Sequence, residues 1–173
     1  MGKGMGQGDD NCSLTMGSDM LKRMAKKITR FKKKVDVYAL IGESGTGKSF
    51  RARLIMEKDK IDLMIDDGLL IRDQRILAGR SAKREKNKFA AVKRAIFYYE
   101  KHARDVKKVL QKERFSSILI LGTSQKMIRL ITARLNLPLP EKEIFIHDIA
   151  TKEEITHAKK SRETGGRHVI PLP

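Results

Sequence analysis

The stretch that decides the fold is Gly42-Glu43-Ser44-Gly45-Thr46-Gly47-Lys48-Ser49. An apolar, β-prone run precedes it at residues 35–41, and good helix formers follow it at residues 50–58. This order predicts a strand, a glycine-rich loop and a helix. Glycines let such a loop curl so that its backbone N–H groups converge on an anion. The helix that begins near Lys48 would add the positive end of its dipole.

The pattern G-x-x-x-x-G-K-S resembles the phosphate-binding loop of P-loop NTPases, which implies ATP or GTP as the ligand. The Lys48 ammonium is then expected to reach the β- and γ-phosphates, and the Ser49 hydroxyl to ligate Mg²⁺. The residues expected to bind the nucleotide here are Gly42, Glu43, Ser44, Gly45, Thr46, Gly47, Lys48 and Ser49.

The rest of the chain alternates strand-like and helix-like segments. Strands are predicted near 61–65, 117–121, 143–147 and 168–170, and helices over 126–136 and 151–163. The predicted fold is an α/β, three-layer P-loop sandwich: a mostly parallel sheet of about five strands with helices on both faces. Ligands of such sheets bind beyond the carboxyl ends of the strands, where Asp66, Asp67, Thr123 and Asp148 should open near the loop.

Two adjacent carboxylates, Asp66 and Asp67, are the candidate catalytic groups beside Lys48. One can hold Mg²⁺, and the other can accept the proton of an attacking hydroxyl or water. Neighbouring side chains alternate across a strand, so both are not expected to point into the site. The alternative interpretation is that both are solvated turn carboxylates before Gly68.

Thr123 follows the third predicted strand, where a polar side chain can sense a γ-phosphate or bind an acceptor. Turn or helix-capping use of Thr123 and Ser124 is the alternative. Arg162, with its basic neighbours in the last helix, can close over the phosphates as a lid and neutralise developing charge. A solvated helix face is the alternative there. The histidines show no metal-ligand spacing, so Mg²⁺ is the one metal predicted.

Two narrower resemblances concern kinases. The loop followed by Leu63-Met64-Ile65-Asp66-Asp67 resembles the nucleotide-binding core of bacterial HPr kinase/phosphorylases, which implies that Asp66 or Asp67 is the catalytic base. Over residues 35–170 the order of elements is similar to shikimate, gluconate and nucleotide kinases. That similarity covers a strand ending at Asp66, a small-residue turn at residues 122–124, and a basic helix at residues 152–167.

Charge and composition limit the partners. The 173 residues include 38 Lys and Arg against 21 Asp and Glu, a formal net charge of +17. Such an excess favours a polyanion, namely nucleic acid, an anionic membrane surface or a phosphorylated substrate, although a lysine-rich soluble surface would give the same count. One cysteine excludes an internal disulfide. No run is long enough for a membrane span, so a cytoplasmic location is expected.

Four segments are predicted along the chain. Residues 1–19 form a flexible leader. Residues 20–34 form a basic amphipathic helix that docks on the domain or lies on nucleic acid or lipid. Residues 35–173 form the P-loop domain, and residues 72–116 within it form a long basic helical insert.

Within that insert, apolar residues repeat at three- and four-residue spacing, which predicts one long helix over 85–113 whose apolar seam docks on the sheet or on a neighbouring helix. From residue 72 to residue 114 there are 15 Lys and Arg against 5 Asp and Glu, so weak, salt-sensitive binding to RNA or DNA is expected. Base stacking is expected to contribute little, because Phe89 and Tyr99 would be buried. The seam residues are Phe89, Val92, Ile96, Tyr99, Ala103, Val106 and Leu110.

Three functions remain open. The first is Mg²⁺-dependent phosphoryl transfer from ATP or GTP to an acceptor, as in a kinase. The second is a nucleic-acid-associated NTPase whose basic helices contact a phosphate backbone. The third is a non-catalytic nucleotide-binding regulatory module, for which a γ-phosphate site without a positioned carboxylate would be diagnostic.

Overall fold

The computed structural model describes residues 34–165, with side chains as far as residue 161. The predicted leader at 1–19, nearly all of the helix at 20–34 and the strand at 168–170 lie outside the described residues. The α/β class is confirmed, because the described residues form one mixed sheet with helices on both of its faces.

The described residues form six strands and six α-helices. The strands are β1 (Asp36–Ile41), β2 (Leu63–Asp66), β3 (Leu69–Arg72), β4 (Arg75–Gly79), β5 (Ser117–Gly122) and β6 (Lys142–Phe145). The helices are α1 (Lys48–Asp59), α2 (Lys88–Ala95), α3 (Glu100–Lys112), α4 (Gln125–Leu135), the single turn α5 (Ile146–Ile149) and α6 (Lys152–Gly165), with a 3₁₀ turn at Ala82–Arg84 before α2.

The strand order across the sheet is β4-β3-β2-β5-β1-β6. The pairs β2–β5, β5–β1 and β1–β6 are parallel, whereas β2–β3 and β3–β4 are antiparallel. The sequence predicted about five strands, mostly parallel. It missed the β3–β4 hairpin, which begins before the proposed insert at 72–116 and occupies its first part.

Two tight turns build that hairpin and join it to β2. Asp67 and Gly68 lie between the paired residues Asp66 and Leu69, and both have positive φ, 48° and 83°. Asp73 and Gln74 also have positive φ, 47° and 65°, as a two-residue type I′ turn requires. Asp-Gly is a strong hairpin signal, but Asp-Gln is not. The second turn is therefore difficult to recognise from sequence.

Each face of the sheet buries its own apolar layer. One layer joins alternate side chains of β1, β2 and β5 to α3 and α4, including Val37, Ile65, Ile120, Val106 and Ile131. The opposite layer joins Leu40, Met64 and Leu119 to Ala52 of α1 and Ile146 of α5. The central strands are buried on both faces, which explains their nearly continuous apolar sequences.

The prediction of one long helix over 85–113 is wrong. The chain breaks between α2 and α3 at Phe97, a buried residue whose φ is 56° and whose ring stacks on His102 with centroids 4.7 Å apart. Ala103, Val106 and Leu110 of α3 are buried, as the seam predicted. Phe89 and Val92 of α2 are instead exposed, at 71% and 56%. The three- and four-residue spacing of apolar residues therefore runs across two separate helices.

Across residues 34–165, none of the helices is both long enough and apolar enough to cross a membrane.

Candidate functional site

The glycine-rich loop joins β1 to α1, and each of three glycines meets a steric requirement. Gly45 and Gly47 have φ of 83° and 81°, the left-handed region that favours glycine. A Cβ on Gly42 would lie 2.4 Å from Cγ2 of Ile146. The predicted strand, loop and helix are therefore present, with the loop curled at the start of α1.

Lys48 folds back across this loop. Its Nζ donates hydrogen bonds to the carbonyl oxygens of Gly42 and Glu43, at 2.7 and 2.6 Å. The buried Thr46 hydroxyl also donates to the Glu43 carbonyl, at 2.8 Å. The ammonium is therefore held at the loop, at the first residue of α1, where it can exchange carbonyl oxygens for those of a bound anion.

Ser49 and Asp66 meet from two different elements. The Ser49 Oγ, in the first turn of α1, donates a hydrogen bond of 2.7 Å to Oδ2 of Asp66 at the end of β2. This contact needs the fold, because β5 separates β2 from β1 in the sheet. A hydroxyl and a carboxylate at this distance are two oxygen donors of the kind that Mg²⁺ takes. Between residues 34 and 165 no group of three or more His, Cys, Asp or Glu could hold a metal by itself.

The Asp66 carboxyl lies in an environment that opposes its charge. Burial raises its pKa most, and the neighbouring Asp67 carboxylate raises it further, against the smaller opposite effect of the Ser49 hydrogen bond. A carboxylate that is costly to ionise alone is one that a bound cation would stabilise.

Asp67 points elsewhere, as predicted for one of the two carboxylates, but the reason is the turn after β2, where its φ is 48°, and not strand alternation. Its carboxylate is 37% exposed and lies 3.5 Å from the Nζ of Lys83. Its backbone carbonyl accepts a hydrogen bond from the Ala82 N–H, at 2.8 Å, which fixes the 3₁₀ turn beside it. Asp66 therefore belongs to the loop site, whereas Asp67 lies at its margin beside a lysine that the sequence did not single out.

His102 supports the turn that follows these carboxylates. Its Nε2 lies 2.9 Å from the Gly68 carbonyl oxygen and 3.1 Å from the Arg80 nitrogen, and its Nδ1 is buried with no hydrogen-bond partner among the described residues. Burial lowers the pKa of His102, so the ring is neutral near pH 7. A Cβ on Gly68 would lie 2.8 Å from the Arg80 carbonyl oxygen, so the turn admits only glycine.

Helix α6 lies beside the loop. Lys159 Nζ pairs with the Glu43 carboxylate at 2.6 Å, and a Cβ on Gly47 would lie 3.6 Å from that of Ala158. Arg51 of α1 holds the start of α6 through Glu154, at 2.6 Å. Thr151 and Glu154 form a capping box at the start of α6, because each backbone N–H donates to the other's side chain, at 2.8 and 3.2 Å.

Of the other predicted site residues, Thr123 is not brought into these contacts, and the contacts of Arg162 lie outside the described part of the chain. Thr123 lies after β5, at the same sheet edge, but its exposed hydroxyl contacts the Met127 sulfur at 3.5 Å. Ser124 caps α4 by accepting from the Met127 N–H, which is the capping role the sequence left open. Arg162 lies in α6 at a position whose side chain is outside the described part of the chain.

The sequence matches no known protein-family model, and neither curated proteins nor solved structures give a significant match.

The raised pKa of Asp66 predicts a pH dependence of stability. Well below the ordinary aspartate pKa the carboxyl is neutral in both states and adds no cost. As pH rises from the ordinary aspartate pKa through the raised one, the unfolded state ionises more readily than the folded state. The free energy of unfolding therefore falls over this range. Asp66→Asn should remove this fall. Urea denaturation without divalent cations at several pH values measures it, and a variant-to-wild-type difference that does not grow with pH would contradict it.

Proposed function

We propose that the chain binds Mg·ATP or Mg·GTP at residues Gly42–Ser49 and transfers the terminal phosphoryl group to a hydroxyl acceptor, or to water, as a kinase-like P-loop enzyme. The observation that supports this most is the 2.7 Å hydrogen bond between Ser49 and Asp66. A glycine-rich turn without function gives no reason for a half-buried carboxylate, whose ionisation its surroundings oppose, to contact the first hydroxyl of the following helix.

Each group has a role in this proposal. Backbone N–H groups of the loop and the start of α1 bind the phosphates, and Lys48 compensates charge on the terminal phosphates. Ser49 and Asp66 would hold Mg²⁺, which when bound would supply charge neutralisation. Asp67 is the candidate proton acceptor, because it follows Asp66 directly and remains partly open to solvent.

Helix α6 supplies the lid in the proposal. Lys159 already reaches the loop through the exposed carboxylate of Glu43. A terminal phosphate carries more charge than that carboxylate, so a bound nucleotide can take Lys159 from Glu43. Thr123 and Arg162 remain candidate nucleotide contacts on their positions alone.

The same hydrogen bond favours an enzyme over a regulatory module. A module that only senses nucleotide needs phosphate contacts, whereas phosphoryl transfer also needs a positioned metal. The loop and Lys48 would supply phosphate contacts for either function, but only phosphoryl transfer needs the metal ligand that the Asp66 carboxylate would provide beside Ser49.

Lys48→Ala is expected to weaken binding of Mg·ATP or Mg·GTP at least tenfold, about 1.4 kcal/mol, because it removes the charge that faces the terminal phosphates. Isothermal titration calorimetry measures the affinity, and release of inorganic phosphate measures turnover. Lys58→Ala is the matched control, since Lys58 is an exposed lysine at the far end of the same helix. Equal affinity in wild type and in folded Lys48→Ala would contradict the proposal.

A further inference from the structure

Four large apolar side chains are exposed in one short segment, residues 89–99. Phe89 is 71% exposed, Val92 56%, Tyr98 50% and Tyr99 36%. The chain has nine Phe and Tyr residues in all, and three of them are in this group. Single exposed apolar residues are normal on a protein surface, whereas several close together often mark an interaction surface. Four such residues within eleven positions therefore indicate a binding surface here.

The local fold presents these rings to solvent. Asn87 begins α2 by accepting a hydrogen bond from the Ala90 N–H at 2.8 Å, and Phe97 ends the helical run by turning into the core with φ of 56°. Positive φ is unfavourable for a bulky residue. The buried Phe97 anchors the turn, and the two residues after it, Tyr98 and Tyr99, face outward with their rings 5.8 Å apart at 90°.

Cations lie against the exposed rings. Lys93 Nζ is 4.3 Å from the centroid of Phe89 and 4.8 Å from that of Tyr98. The guanidinium of Arg134, from α4, is 5.0 Å from the Tyr98 centroid. Arg94 also covers Tyr99, at 4.4 Å, but it is largely buried and bonded to Glu85, which gives it a structural role.

The charge around the rings is strongly positive. Residues 86–101 contain five Lys and Arg (Lys86, Lys88, Lys93, Arg94 and Lys101) against one acid, Glu100. An apolar face for a second protein is usually depleted of lysine at its centre, whereas here an ammonium lies between two rings. Rings with cations between them match a ligand that alternates flat apolar groups with negative charges.

We propose that this aromatic surface binds single-stranded nucleic acid, with bases stacked on the rings and phosphates at the cations. Its residues are Phe89, Val92, Lys93, Tyr98, Tyr99 and Arg134. Stacking of bases on aromatic side chains tolerates any sequence, because every base has a flat π-face. Duplex DNA offers the same phosphates, but its bases are already stacked on one another, so the surface prefers single strands. The proposal does not depend on nucleotide binding at residues 42–49.

The test is binding of a fluorescent oligothymidylate by anisotropy, without ATP, for the full chain. Phe89→Ala with Tyr98→Ala is expected to weaken binding about tenfold or more, and Tyr98→Phe to retain it, because the ring is kept. Ile76→Ala, another exposed apolar residue, is the matched control and should leave affinity unchanged. Lys93→Ala should weaken binding and reduce its salt dependence. Lys48→Ala should bind the oligonucleotide like wild type, which separates this result from that of the nucleotide site.

Several results would overturn the proposal. Equal affinity in the double variant would leave charge alone as the cause of binding. Equal binding of a duplex would remove the role of stacking. Displacement by polyglutamate at the same charge concentration would assign the surface to an acidic polypeptide. A concentration-dependent dimer in sedimentation, dispersed by the double variant, would assign it to a second copy of the chain.

Discussion

Asparagine in place of Asp66 is expected to lower the rate of phosphoryl transfer or phosphate release about a hundredfold or more, with a smaller change, within about tenfold, in nucleotide affinity. The Asp66 carboxylate meets Ser49 at 2.7 Å, where it can hold Mg²⁺ against the transferred group. Charge compensation of that kind increases as the phosphoryl group leaves, so its loss raises the barrier more than it weakens ground-state binding. Single-turnover kinetics with radiolabelled ATP, beside calorimetric affinity, separate the two effects.

Asp67→Asn is the matched comparison, because it makes the same change one residue further on and separates the proposed proton acceptor from the proposed metal ligand. The Asp67 carboxylate lies beside Lys83 and not beside Ser49, so a smaller loss of rate than for Asp66→Asn is expected. Rates that remain at the wild-type value in both folded variants would return the two residues to the role of turn carboxylates.

The loop and its acidic partner could be predicted from sequence because both signals are local. Eight consecutive residues specify the loop, and a strand that ends in Asp66 places a carboxylate at the edge where the loop opens. The contacts that refine the site are not local. Lys159 and Glu43 are 116 positions apart, and His102 and Gly68 are 34 apart. No spacing rule links such residues before the sheet order is known.

The α/β class followed from the alternation of apolar strands and amphipathic helices, but the β3–β4 hairpin did not. Residues 69–79 consist of two short apolar runs on either side of Arg72, Asp73, Gln74 and Arg75, and Asp-Gln is not a turn that signals a hairpin. The two strands form because β3 pairs with β2 and β4 pairs with β3, so the hairpin extends an existing sheet. Strand pairing in the folded sheet determines the structure of this segment, and sequence periodicity alone does not predict it.

Val106→Asp is expected to destabilise the fold by about 3 to 5 kcal/mol. Val106 of α3 is fully buried in the layer between the helices and the sheet, and an unpaired carboxylate there loses its hydration without gaining a partner. Urea denaturation followed by far-ultraviolet circular dichroism measures the free energy of unfolding. If Val106→Asp proves insoluble, Val106→Ala should still cost about 1 to 3 kcal/mol through lost burial and a cavity.

Val92→Asp supplies the matched control, because it places the same carboxylate on the same heptad pattern but on α2, where Val92 is 56% exposed. A change within about 0.5 kcal/mol is expected there, as for other surface substitutions. A continuous helix over 85–113 would bury both valines and make the two variants similarly unstable. A large loss of stability for Val92→Asp would therefore support the single helix, in which Phe89 of the aromatic surface would be buried. A large loss for Val106→Asp alone supports the break at Phe97, because only that break leaves one half of the seam in the core and turns the other half, with Phe89, toward a ligand.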